Sequence, residues 1–493
     1  MASGLTVRQF GILRPAHCET VFCKTLVVGN SVAAYTATLA TLQAGGQVCW
    51  AQAGPLDLVK TLNRQPRSQQ AESYFSWRQG KRISPWEEAT VLSQSQQTFW
   101  TNCHPQPTLT AAPVPPPLTS SANETAVTPA LQQTRERQFR QAIAPYLQSQ
   151  QLILIPRGLP IRVLYSQQRG QRRVHQVVFQ DATTRRRFQI HARLILDATT
   201  EGYLQKDLAE ASGATLIPEH RLTLDEAIAG VRREARGQVF TDSIAIVMTT
   251  GLEQHSKPRP LSVPLRSRIL QNTEGFLSVS LPGCDPQLRP LFEHPTAQWA
   301  LGEAAGLIAA QAVQAGGIEA LRKATNWPWK LQQTLVRQGV PIFAFDDVAL
   351  DDPDFEAIQM VAIANVVRTM RRRDLSFRPE TPVTKAVLAS ALARLPKPAS
   401  QATDDVTPLV DVSANHWAEP AIHSAIANQT LMPEQSDTFA PSKVLTKHQL
   451  WQVVQPLYPL PAPAPPFVLD HAPSQRRHLS RSLYPVWQYQ LGL

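Results

Sequence analysis

The sequence predicts an α/β protein that contains a doubly wound parallel sheet with an inserted α+β domain, followed by a small all-α repeat module. Residues Thr25–Gln52 have the pattern of a strand, a turn, a helix and a second strand. Short strand-like runs follow between Leu152 and Ala198, and one sequence pattern occurs twice in the C-terminal part. With 493 residues, the chain is long enough to form two or three hydrophobic cores.

Composition and charge narrow the class of protein. Hydrophobic residues make up 43% of the chain and charged residues 17%, which is typical of a globular protein. The net charge of +10 includes short basic groups at 185–187, 371–373 and 476–477, and no recognised nucleic-acid motif accompanies them. We therefore expect a solvated basic surface and no nucleic-acid partner, with contact to a polyanion as the alternative.

The N-terminus favours a location inside the cell, and the cysteines exclude two kinds of site. No apolar run reaches the roughly 18–20 residues that span a bilayer, and the N-terminus lacks a basic region followed by an apolar core. A cytoplasmic protein without a membrane span is expected, and the periplasm or the cell surface is the alternative. The five cysteines form no C-x-x-C pair, so we expect neither a disulfide framework nor a metal site.

The turn of the first β-α-β unit has altered glycine positions. A dinucleotide-binding turn uses three glycines, and an acidic residue follows the second strand. Here these positions read Gly29, Ser31, Ala34 and Gln52. The Ser31 hydroxyl and the Asn30 amide could donate to phosphate, and Gln52 could bond a ribose hydroxyl without charge assistance. Two interpretations stay open, namely nucleotide binding and an ordinary buried β-α-β unit.

The next elements follow from proline content and hydrophobic periodicity. The proline-rich run 104–117 can form neither a helix nor a central strand, so it is interpreted as a linker or an inserted loop. Apolar residues at four-residue spacing predict a helix within Gln132–Gln150. Four strands, the later ones joined as a small β-meander, are predicted at Leu152–Ile155, Ile161–Tyr165, Val174–Gln180 and Phe188–Ala198.

Two later segments place small residues where a backbone could approach a ligand. In the first, a strand that ends in Asp197 and Ala198 leads through Gly202 into an alanine-rich helix. In the second, a helix is predicted over Leu301–Gly317, and its first amides would be unobstructed and could face an anion or a ring oxygen. Tight helix packing is the alternative use of these small residues, which are Gly302, Ala304, Ala305 and Gly306.

In this order, the three segments resemble the FAD-dependent oxidoreductases with two dinucleotide-binding domains, the group that includes heterodisulfide-reductase-A-like flavoproteins. The matching motifs are the turn Gly29–Ala34, the "DAT-x-x-G" of Asp197–Gly202 and the "A-x-G-x-A-A-G" of Ala300–Gly306. The resemblance covers roughly residues 20–348, and the middle hundred residues of this range match poorly. It implies a bacterial protein with a Rossmann-like FAD-binding domain that transfers hydride or electrons through the flavin of FAD.

The resemblance also implies where the cofactor would lie. Glu303 occupies a position where glutamine is common, and an ionised carboxylate there would lower the flavin potential. Gly29, Ser31 and Ala34 would lie at the pyrophosphate and Gln52 at the ribose, Asp197, Ala198 and Gly202 alongside the cofactor, and Gly302, Ala304, Ala305 and Gly306 near the isoalloxazine.

Some features of that family are missing from the sequence. Residues 55–70 lack the glycine-rich stretch that usually follows the second strand, and no cysteine cluster could hold an iron–sulfur centre. The alternative is therefore a non-catalytic scaffold on a degenerate flavoprotein fold. The substrate, a small molecule or a redox protein, is not predicted. Cys284 is interpreted as a buried inert thiol. No catalytic residue is predicted among the available histidines, which are His104, His191, His220 and His255.

The C-terminal part contains an internal repeat. FRPETPVTK at Phe377–Lys385 and FAPSKVLTK at Phe439–Lys447 share one pattern at an offset of 62 residues. With Trp417 in an "HWA" motif, they resemble S-layer homology repeats, which implies binding to cell-wall polysaccharide through a threonine, a basic residue and a glutamate. Packing on the flavin domain or on a partner protein is the alternative for residues 349–456. At the three positions the chain has Thr384 and Thr446, Lys385 and Lys447, and Val387 and Gln449.

The predicted domain organisation follows from these segments. It consists of a FAD-binding domain in two parts (20–204 and 296–348), an inserted substrate or cap domain (205–295), two repeats (349–396 and 408–456) and a proline-rich, basic tail (457–493).

Overall fold

The computed structural model of the protein divides into two compact units, Met1–Trp327 with Gln338–Val340, and Pro328–Arg337 with Pro341–Leu493. The predicted proline-rich run 104–117 and two of the candidate histidines, His104 and His255, lie outside the described residues. The residues that the structure describes are 12–13, 19–53, 93–103, 129–199, 201–213, 215–226, 242–248, 260–281, 283–345, 347–368, 376–396, 409–459, 461 and 463–493.

The main sheet of the first unit has the strand order β3-β2-β1-β6-β5-β4. The first four strands in this order run parallel, with Val28 opposite both Ala51 and Asp197. β4, β5 and β6 pair antiparallel and form the predicted meander. The predicted α/β class is therefore confirmed. The strands are β1 (Thr20–Val28), β2 (Val48–Ala51), β3 (Leu152–Ile155), β4 (Gly158–Gln168), β5 (Gln171–Asp181) and β6 (Arg187–Asp197).

The parallel strands are apolar because both of their faces are covered. All residues of Thr25–Val28 and of β2 are buried, as is expected for central strands of a parallel sheet. The helix α1 (Val32–Gln43) follows β1, and every residue from Val32 to Leu42 except Leu39 is buried. This β1-α1-β2 unit is the one that the sequence predicts.

Three further helices lie before or after the meander. They are α2 (Gln94–Cys103), α3 (Pro129–Gln148) and α4 (Tyr203–Ser212). The prediction for α3 is confirmed with a shift of two or three residues at each end. α4 begins after Gly202, whose φ of 65° is accessible to glycine at little cost.

The region after α4 contains a second, two-stranded sheet and returns to the main one. β7 (Ser243–Met248), where the sequence is strand-like, pairs antiparallel with β8 (Pro260–Pro264). β9 (Thr273–Glu274) then pairs with β5, and β10 (Phe276–Ser278) with β6. Residues of β7 and β8 form a second hydrophobic cluster together with Leu291, Phe292 and Leu301.

The small-residue helix is longer than the sequence indicates. After α5 (Arg289–Glu293), α6 spans Pro295–Ala315 and ends at Gly316, which has a φ of 98°. The predicted start at Leu301 is wrong. Proline at the first helical position has no N–H to satisfy and has a suitable φ, so the helix starts at Pro295. α7 (Ile318–Lys323) follows.

The second unit consists of short helices. These are α8 (Trp327–Arg337, within this unit from Pro328), α9 (Phe355–Ile363), α10 (Lys385–Leu392), α11 (Glu419–Ala427), α12 (Lys447–Val454) and α13 (Arg476–Leu491). The same kind of local contact occurs at the start of each of the two repeated sequence patterns. The Asp347 carboxylate accepts the N–H groups of Phe377 and Arg378, and Asp411 accepts those of Phe439 and Ala440.

A closed ring of three backbone hydrogen bonds joins three segments of this unit. Val383 N–H donates to Ser474 O (2.8 Å), Ser474 N–H to Leu445 O (2.7 Å), and Leu445 N–H to Val383 O (3.0 Å). Each residue directly precedes the N-cap of a helix, α10, α12 or α13. The prediction that 457–493 is only a tail is therefore wrong, because α13 takes the third equivalent position. Among the described residues, no helix is long and apolar enough to cross a membrane.

Candidate functional site

The turn after β1 lies against the end of β6. Gly29 has a φ of 137°, and a Cβ at this position would overlap the Ala198 carbonyl and lie 2.6 Å from its carbon. Only glycine fits this combination of positive φ and close backbone approach. Two segments that are 169 residues apart in sequence therefore meet at the C-terminal edge of the sheet, where α/β folds bind ligands.

Ser31 forms the N-cap of α1. Its hydroxyl accepts the N–H of Ala34 at 3.1 Å and donates to the Ala198 carbonyl at 2.8 Å. The side chain is 3% exposed, and Ala34 is fully buried. The hydroxyl that the sequence offers to a phosphate thus caps the helix and joins the turn to β6.

An aromatic cluster, which the sequence did not predict, covers the same region. Trp50 is fully buried, and its indole Nε1 donates to the Gly29 carbonyl at 2.8 Å. Tyr35 contacts Trp50, Phe139 and Trp299. The rings come from four separate segments, so no local sequence signal brings them together. Two residues beyond Trp50, Gln52 is 4% exposed, and its N–H donates to Ile155 O.

Asp197 organises the turn between β6 and α4. Its Oδ1 accepts the Thr199 hydroxyl at 2.5 Å and the Thr199 N–H at 3.1 Å, while Oδ2 accepts the Gln205 N–H at 3.0 Å. Burial raises the pKa of this carboxyl, and these hydrogen bonds oppose the rise. Together with Gly202, it therefore shapes the start of α4.

The small residues of α6 face α1. A Cβ on Gly302 would overlap Thr36 and lie 2.8 Å from the Ala33 Cα, and one on Gly306 would lie 2.9 Å from the Ala40 Cβ. Because α6 begins at Pro295, the amides of Gly302, Ala304, Ala305 and Gly306 lie inside the helix and not in its first turn. The expectation of unobstructed first-turn amides is wrong, and the alternative, tight helix packing, describes the observed contact.

Glu303 is buried between α6 and the start of α2. The hydroxyls of Ser93 and Ser95 bond its carboxyl, and burial raises its pKa to about 7. Its Oε2 has no partner among the described residues, and the same holds for Oε1 of Gln298 and for both amide atoms of Gln96. Buried polar atoms without partners are rare in folded proteins, so they mark a place where a ligand could be bound.

The remaining candidate residues form no catalytic group in the described part of the chain. His191 stacks on Phe22 beside His175, and burial lowers its pKa. His220 lies 3.1 Å from Glu226. Burial raises the pKa of the Cys284 thiol to about 11, as expected for an unreactive cysteine. No set of three described metal-ligating side chains could hold a metal ion.

The structure brings one part of the predicted site together. Gly29, Ser31, Ala34 and Ala198 form one cluster, and Gly302 and Gly306 of α6 pack against α1. The fold and this site define an α/β protein with a Rossmann-like β-α-β unit whose turn contacts the end of the fourth parallel strand.

Comparison with known proteins finds solved structures to which the chain is similar. No protein-family model and no curated protein matches the chain. Similar solved structures include a flavoprotein/dehydrogenase from Cytophaga hutchinsonii (12% identity, TM-score 0.26, 69% of this chain and 89% of that chain). A geranylgeranyl bacteriochlorophyll reductase-like protein from Thermoplasma acidophilum has 10% identity and a TM-score of 0.26, over 82% and 96% of the two chains. The quinol fumarate reductase of E. coli has 10% identity and a TM-score of 0.31, over 65% and 74%. All three TM-scores are below 0.5.

Proposed function

We propose that the first unit binds FAD and belongs to an oxidoreductase. The observation that supports this most is the contact between Gly29 and Ala198, because it joins the degenerate turn to the "DAT-x-x-G" strand end. A dinucleotide-binding domain needs this convergence at the C-terminal edge of its parallel strands. The proposal names no substrate.

The residues that would hold FAD differ from those of a complete fingerprint. Asn30 is half-buried at the turn and takes the phosphate-binding role, since the Ser31 hydroxyl is already bonded twice. Gln52 would bond the ribose. Gln96, Gln298 and Glu303 carry buried polar atoms without partners in the described part of the chain, and these suit a polar ring edge. When bound, FAD supplies hydride or electron transfer, and the protein supplies its orientation.

A non-catalytic scaffold is the second candidate, and a specific observation favours it. The Ser31 hydroxyl is used internally, the first residues of α1 are fully buried, and Trp50 bonds the Gly29 carbonyl. Because these contacts are made within the protein, the turn would keep its structure even if the ligand were lost.

Reconstitution with FAD separates the two candidates. The protein is purified, its visible spectrum is recorded, and it is then titrated with FAD while flavin fluorescence is followed. Flavin absorption bands that dithionite bleaches, or saturable quenching, support the flavoprotein. A colourless protein that leaves the fluorescence of added FAD unchanged supports the scaffold.

For the second unit we propose contact with a partner protein in place of polysaccharide binding. Thr384 and Thr446 accept N–H groups as helix N-caps. Lys385 bonds Met432 O and Glu434 within the unit, and Lys447 pairs with Asp470 at 3.0 Å. The side chains that would contact a polysaccharide are therefore engaged internally. Retention of the full chain on purified peptidoglycan, lost on deletion of 346–456, would contradict this.

A further inference from the structure

One face of the sheet formed by β1, β6 and β5 is open to solvent. On β1, Val21 and Cys23 pack into the hydrophobic core of the first unit. Successive residues of a strand point to opposite faces, so Phe22 and Lys24 lie on the open face, and both are exposed. Phe22 is 74% exposed, although phenylalanine is among the residues that are most often buried.

The two neighbouring strands continue this face with further basic and aromatic side chains. Ile190 and Ala192 of β6 and Val174 of β5 pack into the same core. The residues that alternate with them therefore lie on the open face, and the two arginines among them are exposed. The basic-aromatic face, as we call it below, consists of Phe22, Lys24, Arg173, His175, His191 and Arg193.

Three rings form a row across the strands of the basic-aromatic face. Phe22 stacks on His191, with ring centroids 5.2 Å apart and ring planes at 21° to each other. The ring of His175 follows at 5.7 Å from that of His191. Exposed aromatic side chains of this kind are the surfaces on which bases of single-stranded nucleic acids stack. The row therefore suits a ligand with planar rings.

Two of the basic side chains lie next to each other. Cys23 pairs with Ala192 and Thr25 with Leu194, so Lys24 and Arg193 occupy neighbouring positions on adjacent strands. Like charges at such positions destabilise a sheet. An anion bound between them would relieve this repulsion.

Two acids border the basic-aromatic face without pairing with it. Glu274 lies opposite Arg173, and its carboxylate accepts the N–H groups of Ile318 at 2.7 Å and Glu319 at 3.0 Å. Glu19 precedes β1. Across the described part of the chain, the side chains of Lys24, Arg173 and Arg193 have neither an ion pair nor a hydrogen bond. Their charges are therefore available to an anionic partner.

We propose that the basic-aromatic face binds single-stranded nucleic acid. Bases stack on Phe22 and the two imidazole rings, and phosphates lie at Lys24, Arg173 and Arg193. A duplex fits less well, because its bases are stacked on one another and cannot reach the rings. The basic residues are far apart in the sequence and come together only through strand pairing, so no sequence motif indicates this surface. The proposal does not depend on whether the first unit binds FAD.

Fluorescence anisotropy tests the proposal on the purified full-length protein. The probe is a fluorescein-labelled oligothymidylate of about 15 nucleotides, and the comparison is a labelled duplex of the same length. The single strand should bind saturably, more weakly as the salt concentration rises, and at least about tenfold more tightly than the duplex. Absence of binding, or equal affinity for the duplex, would overturn the proposal.

A matched pair of aromatic variants tests the stacking. Phe22→Ala should weaken binding of the single strand about tenfold, whereas Phe22→Trp, which keeps a ring, should bind like the wild type. Trp417→Ala removes an exposed aromatic side chain from the second unit and should leave binding unchanged. Because Phe22 is exposed, its replacement should not prevent folding. Full binding by Phe22→Ala would contradict the proposal.

A matched pair of arginine variants tests the charge. Arg193→Gln should weaken binding and reduce the slope of log K against log salt concentration by roughly 0.7, the contribution of one phosphate contact on a single strand. Arg266→Gln removes an exposed charge that pairs with Asp242, and it should leave the slope unchanged. An unchanged slope in Arg193→Gln, or an equal change in Arg266→Gln, would contradict the assignment of the phosphates to this face.

Discussion

Gly302 on α6 lies directly against Thr36 on α1, with no room for a side chain between the two helices. The contact continues one turn later, where Gly306 lies against Ala37 and Ala40 and its carbonyl accepts the Thr41 hydroxyl at 3.0 Å. The helix whose small residues the family resemblance places near the isoalloxazine is thus held against the first helix of the β-α-β unit.

This contact predicts the sign of a stability change. In an open helix, Gly→Ala stabilises by roughly 0.5–1 kcal/mol. Gly302→Ala should instead destabilise by about 1–3 kcal/mol, because the new methyl group overlaps Thr36 and Ala33. Urea unfolding measures the difference, with Gln314→Ala on the exposed part of α6 as control. An increase in stability for Gly302→Ala would contradict the described packing.

Glu303 predicts a pH dependence. Its pKa is about 7 in the folded protein and near 4.5 in the unfolded chain, so the folded state holds one more proton between these values. The contribution of Glu303 to the free energy of unfolding is therefore fully present below pH 4.5. It falls as pH rises toward 7, by up to about 1.4 kcal/mol per pH unit.

The variant Glu303→Gln isolates this contribution. The unfolding free energy of the wild type relative to the variant should fall between pH 4.5 and 7. Glu293→Gln, at an exposed position, should show no such trend. A difference between wild type and Glu303→Gln that does not change with pH would mean that Glu303 stays ionised.

Because α13 takes the third equivalent position of the helical unit, its buried side chains should contribute to the stability of that unit. Leu483 is fully buried, whereas Tyr489 on the same helix is 57% exposed. Leu483→Ala should cost about 2–5 kcal/mol. Tyr489→Ala should cost much less. Thermal unfolding and hydrogen exchange at Val383 and Leu445 measure the effect, and a neutral Leu483→Ala would restore the interpretation of this region as a tail.

Much of the fold could be predicted where neighbouring residues in the sequence determine the structure. The β1-α1-β2 unit and the meander were predicted from their apolar runs and turn residues, and the repeat from a sequence pattern that occurs twice. The start of α6 at Pro295 was not predicted, because the run of small residues that predicts the helix begins only at Leu301. The third helical position was missed because Gln475 and Arg476 replace the Thr-Lys pair of the other two repeats.

The site was less predictable because it depends on contacts between distant segments. The sequence indicates that Ser31 could reach a phosphate, yet only the fold shows that its hydroxyl reaches Ala198. Similarly, Tyr35, Trp50 and Trp299 carry no motif, and they contact one another only after the sheet and α6 have formed.

The central claim is that FAD binds at the junction of Gly29 and Ala198, and a FAD titration followed by flavin fluorescence tests it most directly. Wild type should bind one FAD per chain, and Gly29→Val should weaken binding by at least about tenfold, because its side chain overlaps Ala198. Gly45→Val is the control, since Gly45 has a φ of 79° with nothing within 4 Å, and it should bind like the wild type. Wild-type protein that binds no FAD, or a Gly29→Val variant that binds it fully, would contradict the account.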